Sequence, residues 1–125
     1  MYELMVKDSF AAAHNLRDYK GKCERVHGHN YIVEAYFTSK TLGKDGLAVD
    51  FTILKKYLKK IIDKLDHRNL NEDIVFFKKN NTSAENIAKF IYDYLKANVK
   101  KAGINKVAIY ESDSSMAAYT EETLF

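Results

Sequence analysis

The segment CERVHGHNYIVEAYF, which begins at Cys23, sets two histidines one residue apart at the head of an alternating apolar run. In an extended strand residues i and i+2 project from one face, about 6–7 Å apart along the chain, so His27 and His29 can converge on a single ion. Gly28 between them adds no side chain. His14 closes an earlier alternating stretch, and it supplies a third imidazole if the two stretches pair antiparallel. Three histidines suit Zn2+ and leave its fourth tetrahedral position open, which favours catalysis over scaffolding. An isolated histidine is more often a satisfied surface or core residue, and His14 alone would be read so; the HGH spacing shifts the balance. Cys23 leaves two chemistries open. It could close the site as a fourth, structural ligand, or act as a base or nucleophile whose thiol pKa, about 8.5 when unperturbed, falls beside a dication.

The elements that must position these groups follow from periodicity. Tyr2, Leu4 and Val6 alternate with Glu3, Met5 and Lys7, predicting a half-buried strand that runs on towards Phe10 and His14. A second strand is expected from His27 to Thr38. TLGKDG, residues 41–46, is a turn region, and Asp50 is the expected N-cap of a helix whose buried stripe is Leu54, Tyr57, Leu58, Ile61, Ile62 and Leu65. A polar loop containing DHRNLNED leads to a second helix. There TSAE, residues 82–85, has capping-box form, Ala84, Ile87, Ala88, Ile91, Tyr94 and Leu95 make the apolar face, and Gly103 is the expected closure. KVAIYES and MAAYTE supply two last strands. The order ββααββ predicts an α+β domain spanning residues 1–125, a four-stranded antiparallel sheet with two helices on one face.

Composition narrows the function. A chain of 125 residues with 46% hydrophobic content fits one domain that buries roughly two thirds of its unfolded surface. The single cysteine forms no internal disulfide, no secretory leader is apparent, and no apolar run approaches the roughly 20 residues that span a bilayer, so a cytoplasmic protein is expected. The net charge of +3 is dispersed among interspersed lysines and acids, without the basic stripe that nucleic acid requires. A mild positive balance suits an anionic small-molecule substrate.

Six ordered motifs then carry a resemblance over nearly the whole chain: FAAAH ending at His14, CERVHGH, GLAVDF, LDHRNLN from Leu65, TSAEN ending at Asn86, and YES with Glu111 followed by AAY. The chain resembles the 6-pyruvoyltetrahydropterin synthase family of the tunnelling fold. The resemblance implies zinc on His14, His27 and His29, a catalytic Cys23, an Asp66–His67 pair that polarises and protonates, and Glu111 as the pterin anchor. It also implies a homohexamer whose subunit sheets join edge to edge into barrels, with active sites at subunit interfaces. A carboxylate such as Glu111 could accept the adjacent N–H and exocyclic amine of a pterin as a bidentate pair. The family's Pro-Thr pair at the second helix falls on Thr82 and Ser83, which become candidate substrate contacts. Only three residues, Glu24, Arg25 and Val26, separate Cys23 from His27, fewer than in the eukaryotic-type enzymes. That spacing resembles the bacterial 6-carboxytetrahydropterin synthases of queuosine and deazapurine biosynthesis, which convert 7,8-dihydroneopterin triphosphate with release of acetaldehyde and triphosphate. A pyruvoyl product is the alternative, and Glu24 beside Cys23 keeps a 6-hydroxymethyldihydropterin product open. The non-enzyme alternative is a zinc-stabilised binding or oligomeric protein in which Cys23 closes the site.

Overall fold

In the computed structural model, which describes residues 1–122, two long strands form the backbone of the fold: β1 (Tyr2–His14) and β2 (His27–Ser39). They pair antiparallel in unbroken register, from Tyr2 opposite Ser39 to His14 opposite His27. The side-chain period of two puts Val6, Phe10, Ala12 and His14 on the same face as Tyr31, Val33, Ala35 and Phe37, and all eight are buried. Phe10 and Tyr31, directly opposite, stack with ring centroids 4.8 Å apart.

Helices α1 (Phe51–Leu65) and α4 (Ala84–Asn98) contribute Leu54, Leu58, Ile61, Ile62 and Leu65, and Ile87, Ile91 and Leu95, to the core that also holds this sheet face. Asp50 is the N-cap of α1, accepting from the Thr52 N–H at 2.8 Å, as its place before the apolar stripe predicts. The second helix begins one residue later than TSAE implies. Ser83 is its N-cap and accepts from the Asn86 N–H, which leaves Thr82 outside the helix. Gly103 does not close this helix either: Val99 is the C-cap, in an extended conformation, and Gly103 opens a strand. Tyr92, rather than Tyr94, is the fully buried tyrosine of the stripe.

The sheet departs from expectation in strand number and direction. It has five strands in the order β3-β1-β2-β4-β5, with β4 (Gly103–Ser112) antiparallel to β2 and β5 (Ser115–Tyr119) antiparallel to β4. The added member, β3 (Arg68–Asn69), runs parallel to β1 at Ala12 and Ala13. Two residues are too few to show an alternation, so DHRNLNED reads as loop although it holds this strand and the short helix α2 (Leu70–Asp73). A second short helix, α3 (Phe76–Lys79), buries Phe77 before α4.

Candidate active site

The β1–β2 register assembles the histidines. His14 faces His27 across the pair, and His29 faces the small Ala12, so three imidazoles share one end of the helix-covered face. Their ligand nitrogens lie within 4.8 Å of one another. His14 is 1% exposed and the other two are half-buried.

Hydrogen bonds fix which nitrogens are free. His14 Nδ1 lies 2.7 Å from the Thr82 carbonyl oxygen, and His27 Nδ1 lies 2.7 Å from that of Arg25. A carbonyl only accepts, so each Nδ1 carries the proton and each Nε2 presents a lone pair. The two Nε2 atoms face each other at 3.0 Å. Burial, the largest influence, lowers the His14 pKa; the Thr82 carbonyl and the Glu111 carboxylate oppose it, and any positive charge on His27 or His29 would act with burial. Two Nε2 atoms facing each other, with the His29 ring beside them, form a donor set that calls for a cation, and backbone carbonyls on the outer nitrogens of His14 and His27 are the usual support of metal-bound histidine. The residues present therefore fit a divalent metal ion.

Glu111 follows Val107 and Ile109 on the inward alternation of β4, beside an irregularity in the pairing with β5. Tyr110 pairs with Met116 and Ser112 with Ser115, which makes Glu111 the extra residue of a β-bulge. Glu111 Oε2 stands 4.0 Å from His29 Nε2, and Glu111 also borders a cleft of about 560 Å³ lined by Leu16, Ser83, Glu85 and Met116. Beneath lies Tyr31, fully buried, with a hydroxyl that has no hydrogen-bond partner among the described residues. Burial first, then the Glu111 charge, push its pKa up, so the phenol keeps its proton.

The remaining candidates lie apart from the histidines. Cys23 sits half-buried in a single 3-10 turn, Lys22–Glu24, with its backbone carbonyl accepting from the Leu16 N–H at 2.7 Å. The cluster of ligand atoms takes in the three histidines without it. Asp66 and His67 follow α1 at the outer edge of β1. Asp66 Oδ1 accepts from the Ala11 N–H at 2.9 Å, and Oδ2 lies 3.0 Å from His67 Nδ1. The Ala11 hydrogen bond, foremost, and His67 hold the Asp66 carboxyl below its usual range, against a partial desolvation. His67 adopts a left-handed backbone, φ 58°, and its side chain is 83% exposed.

Thr82 and Ser83, paired in the sequence reading, have separate positions. Ser83 lines the Glu111 cleft while capping α4. Thr82 is 0% exposed, and its hydroxyl lies 3.0 Å from the Asn15 carbonyl and 3.1 Å from Asn71 Oδ1, so it is turned away from any ligand. Around it is a device that sequence reasoning missed. Asn71 accepts the Asn15 N–H and donates to the Asn15 carbonyl, and Asn81 does the same to Arg17. Residues i and i+2 of a strand present both groups to the same edge, so two side-chain amides replace a strand partner and prolong the edge that Asp66 and β3 pair at Ala11–Ala13. The asparagine-rich runs NLN and NN were the available signal.

The family model for 6-pyruvoyl tetrahydropterin synthase matches residues 3–122. The chain belongs to the 6-pyruvoyl tetrahydropterin synthase family. It is 34% identical to the 6-pyruvoyl tetrahydrobiopterin synthase of Dictyostelium discoideum, over 94% of this chain and 87% of that protein. It is 33% identical to the 6-carboxy-5,6,7,8-tetrahydropterin synthase of Synechocystis, over 95% of this chain and 93% of that protein. The solved structure of Caenorhabditis elegans 6-pyruvoyl tetrahydropterin synthase superimposes with a TM-score of 0.89 at 30% identity, covering 97% of this chain and 96% of that one. Membership and the histidine cluster make this an enzyme of the pterin synthase superfamily with a metal-binding site. The expected preference for the 6-carboxy branch is not upheld, because pyruvoyl-forming relatives match at least as well. Among the described residues no helix is long and apolar enough to cross a membrane.

Proposed function

We propose that the protein is a zinc-dependent lyase acting on 7,8-dihydroneopterin triphosphate, with 6-pyruvoyltetrahydropterin and the eliminated triphosphate as products. The observation that carries this reading is the convergence of three imidazoles and the Glu111 carboxylate at one end of the sheet face. His14, His27 and His29 would hold the Zn2+, whose Lewis acidity would make the C–H beside a substrate oxygen easier to ionise. Glu111 accepts the paired N–H groups of the pterin in the adjoining cleft, with Ser83 at its wall. The Cys23 thiolate takes the proton from carbon, and His67, oriented by Asp66, returns one to oxygen. Because His67 projects outward from the edge of β1, the reading includes a homohexamer in which such edges meet neighbouring subunits and complete the sites.

A second reading, 6-carboxytetrahydropterin synthase of the queuosine route, is favoured by the short spacing between Cys23 and His27 and by the Synechocystis relative. Glu24 beside Cys23 supports a hydroxymethyl product in the same pocket. The test is anaerobic incubation of zinc-loaded protein with 7,8-dihydroneopterin triphosphate and mass spectrometry of the products. A 6-pyruvoyl product is expected; 6-carboxytetrahydropterin with acetaldehyde would select the second reading. Failure of metal-replete protein to turn over would return the zinc-stabilised binding protein to the front.

A further inference from the structure

We propose that Thr82, anchored by Asn71, is a positioning residue that sets the affinity of the metal centre. The proposal rests on the reading that the three histidines bind Zn2+. Its basis is a continuous chain of hydrogen bonds from Asn71 Oδ1 to the Thr82 hydroxyl at 3.1 Å, and from the Thr82 carbonyl to His14 Nδ1 at 2.7 Å. His14 is the most buried of the three imidazoles, and among the described residues the one partner of its ring besides His27 Nε2 is that carbonyl. The carbonyl thus decides both the tautomer and the ring orientation with which His14 meets a cation.

The backbone at residue 82 belongs to a connection between α3 and α4, not to a sheet or helix that would hold it independently. It is held by its own side chain and by the Asn81 carboxamide, which accepts the Thr82 N–H at 3.1 Å. Asn71 is itself fixed twice to Asn15, the residue after His14, so one amide ties the ligand's strand and the ligand's acceptor together. Full burial of Thr82 separates this role from substrate contact.

Thr82→Val gives a clean test. It removes the hydroxyl without leaving an acceptor stranded, because the Asn15 carbonyl keeps the Asn71 amide and Asn71 Oδ1 keeps the Asn15 N–H. Zinc affinity, read by competition with a chromophoric chelator, should fall about 10-fold, the lower end of what losing an outer partner of a ligating histidine costs, because the Thr82 carbonyl remains and only its anchor is lost. Thr82→Ser should restore it to within about twofold. With zinc saturating, the affinity for neopterin, read by its fluorescence, should be unchanged. Should Thr82→Val not fold, Asn71→Ser, which keeps a small polar group but no bidentate amide, should weaken zinc in the same direction. Wild-type affinity in the folded variants would overturn the proposal, as would weaker neopterin binding at unchanged zinc affinity, which would return Thr82 to the substrate. Failure of the wild-type chain to bind zinc would instead remove the metal reading, and this proposal with it.

Discussion

Val6, Val33, Ala35 and Phe37 occupy one end of the helix-covered sheet face and join Leu58 and Leu95 in a single apolar core. His14, His27, His29 and Glu111 occupy the other end of the same face. The strands do not change between the two ends, and neither does the alternation; only the residue types at the inward positions do. At the apolar end position is set by contact area, which tolerates a change of shape for a graded cost. At the histidine end it is set by individual hydrogen bonds from loops, so a single partner can decide whether the site works. The division predicts that stability and activity separate when each end is changed alone.

The largest effect is expected from His27→Ala. Loss of a ligand should cost more than the roughly 100-fold that an outer partner is worth, and zinc stoichiometry by elemental analysis should collapse together with turnover. Retained stoichiometric zinc would break the assignment. Cys23→Ala comes next: turnover should drop about 10²- to 10⁴-fold, as for loss of a proton-transferring group, while zinc content stays at the wild-type level. Leu58→Ala at the apolar end should lower unfolding free energy by about 2–5 kcal/mol in urea while the folded variant still binds zinc. Asp50→Ala, which removes only the α1 cap, should lower the urea midpoint by less than Leu58→Ala does and leave both zinc and turnover alone. The smallest effect concerns pH. The Asp66 carboxyl is held below its unfolded value, so its contribution to stability is complete above about pH 4 and fades as pH falls through the folded value. Asp66→Asn should flatten that part of the urea-midpoint profile, and an unchanged profile would separate Asp66 from the edge of β1.

What could be read from sequence divides along the same line. The apolar end was legible because alternation in β1 and β2 and the helical stripe of α1 are periodic, and periodicity needs no tertiary information. The histidine trio was legible for the same reason, since His14, His27 and His29 fall on inward positions of a register that the alternation implies. The roles of Glu111, Asp66 and His67 come through resemblance alone: alternation places Glu111 inward after Val107 and Ile109 but does not say what it binds, and a left-handed residue such as His67 leaves no periodic trace. Thr82 was misplaced by one position of helix start, a boundary that TSAE blurs because Thr82 and Ser83 are both good caps. The paired amides of Asn71 and Asn81 were hidden because polar residues in a loop look alike until the partners they reach are known.

All three proposed metal ligands belong to the β1–β2 hairpin, whereas the β4 strand that carries Glu111 joins β2 only across a long stretch of chain, as in the pairing of Ile32 with Tyr110. Closing a short loop is fast and closing a long one is slow, so the hairpin is expected to form first during folding. A nascent chain would then expose the whole set of three imidazoles before Glu111, the proposed pterin anchor, arrives, and an ion captured at that stage would act as a folding template as well as a cofactor.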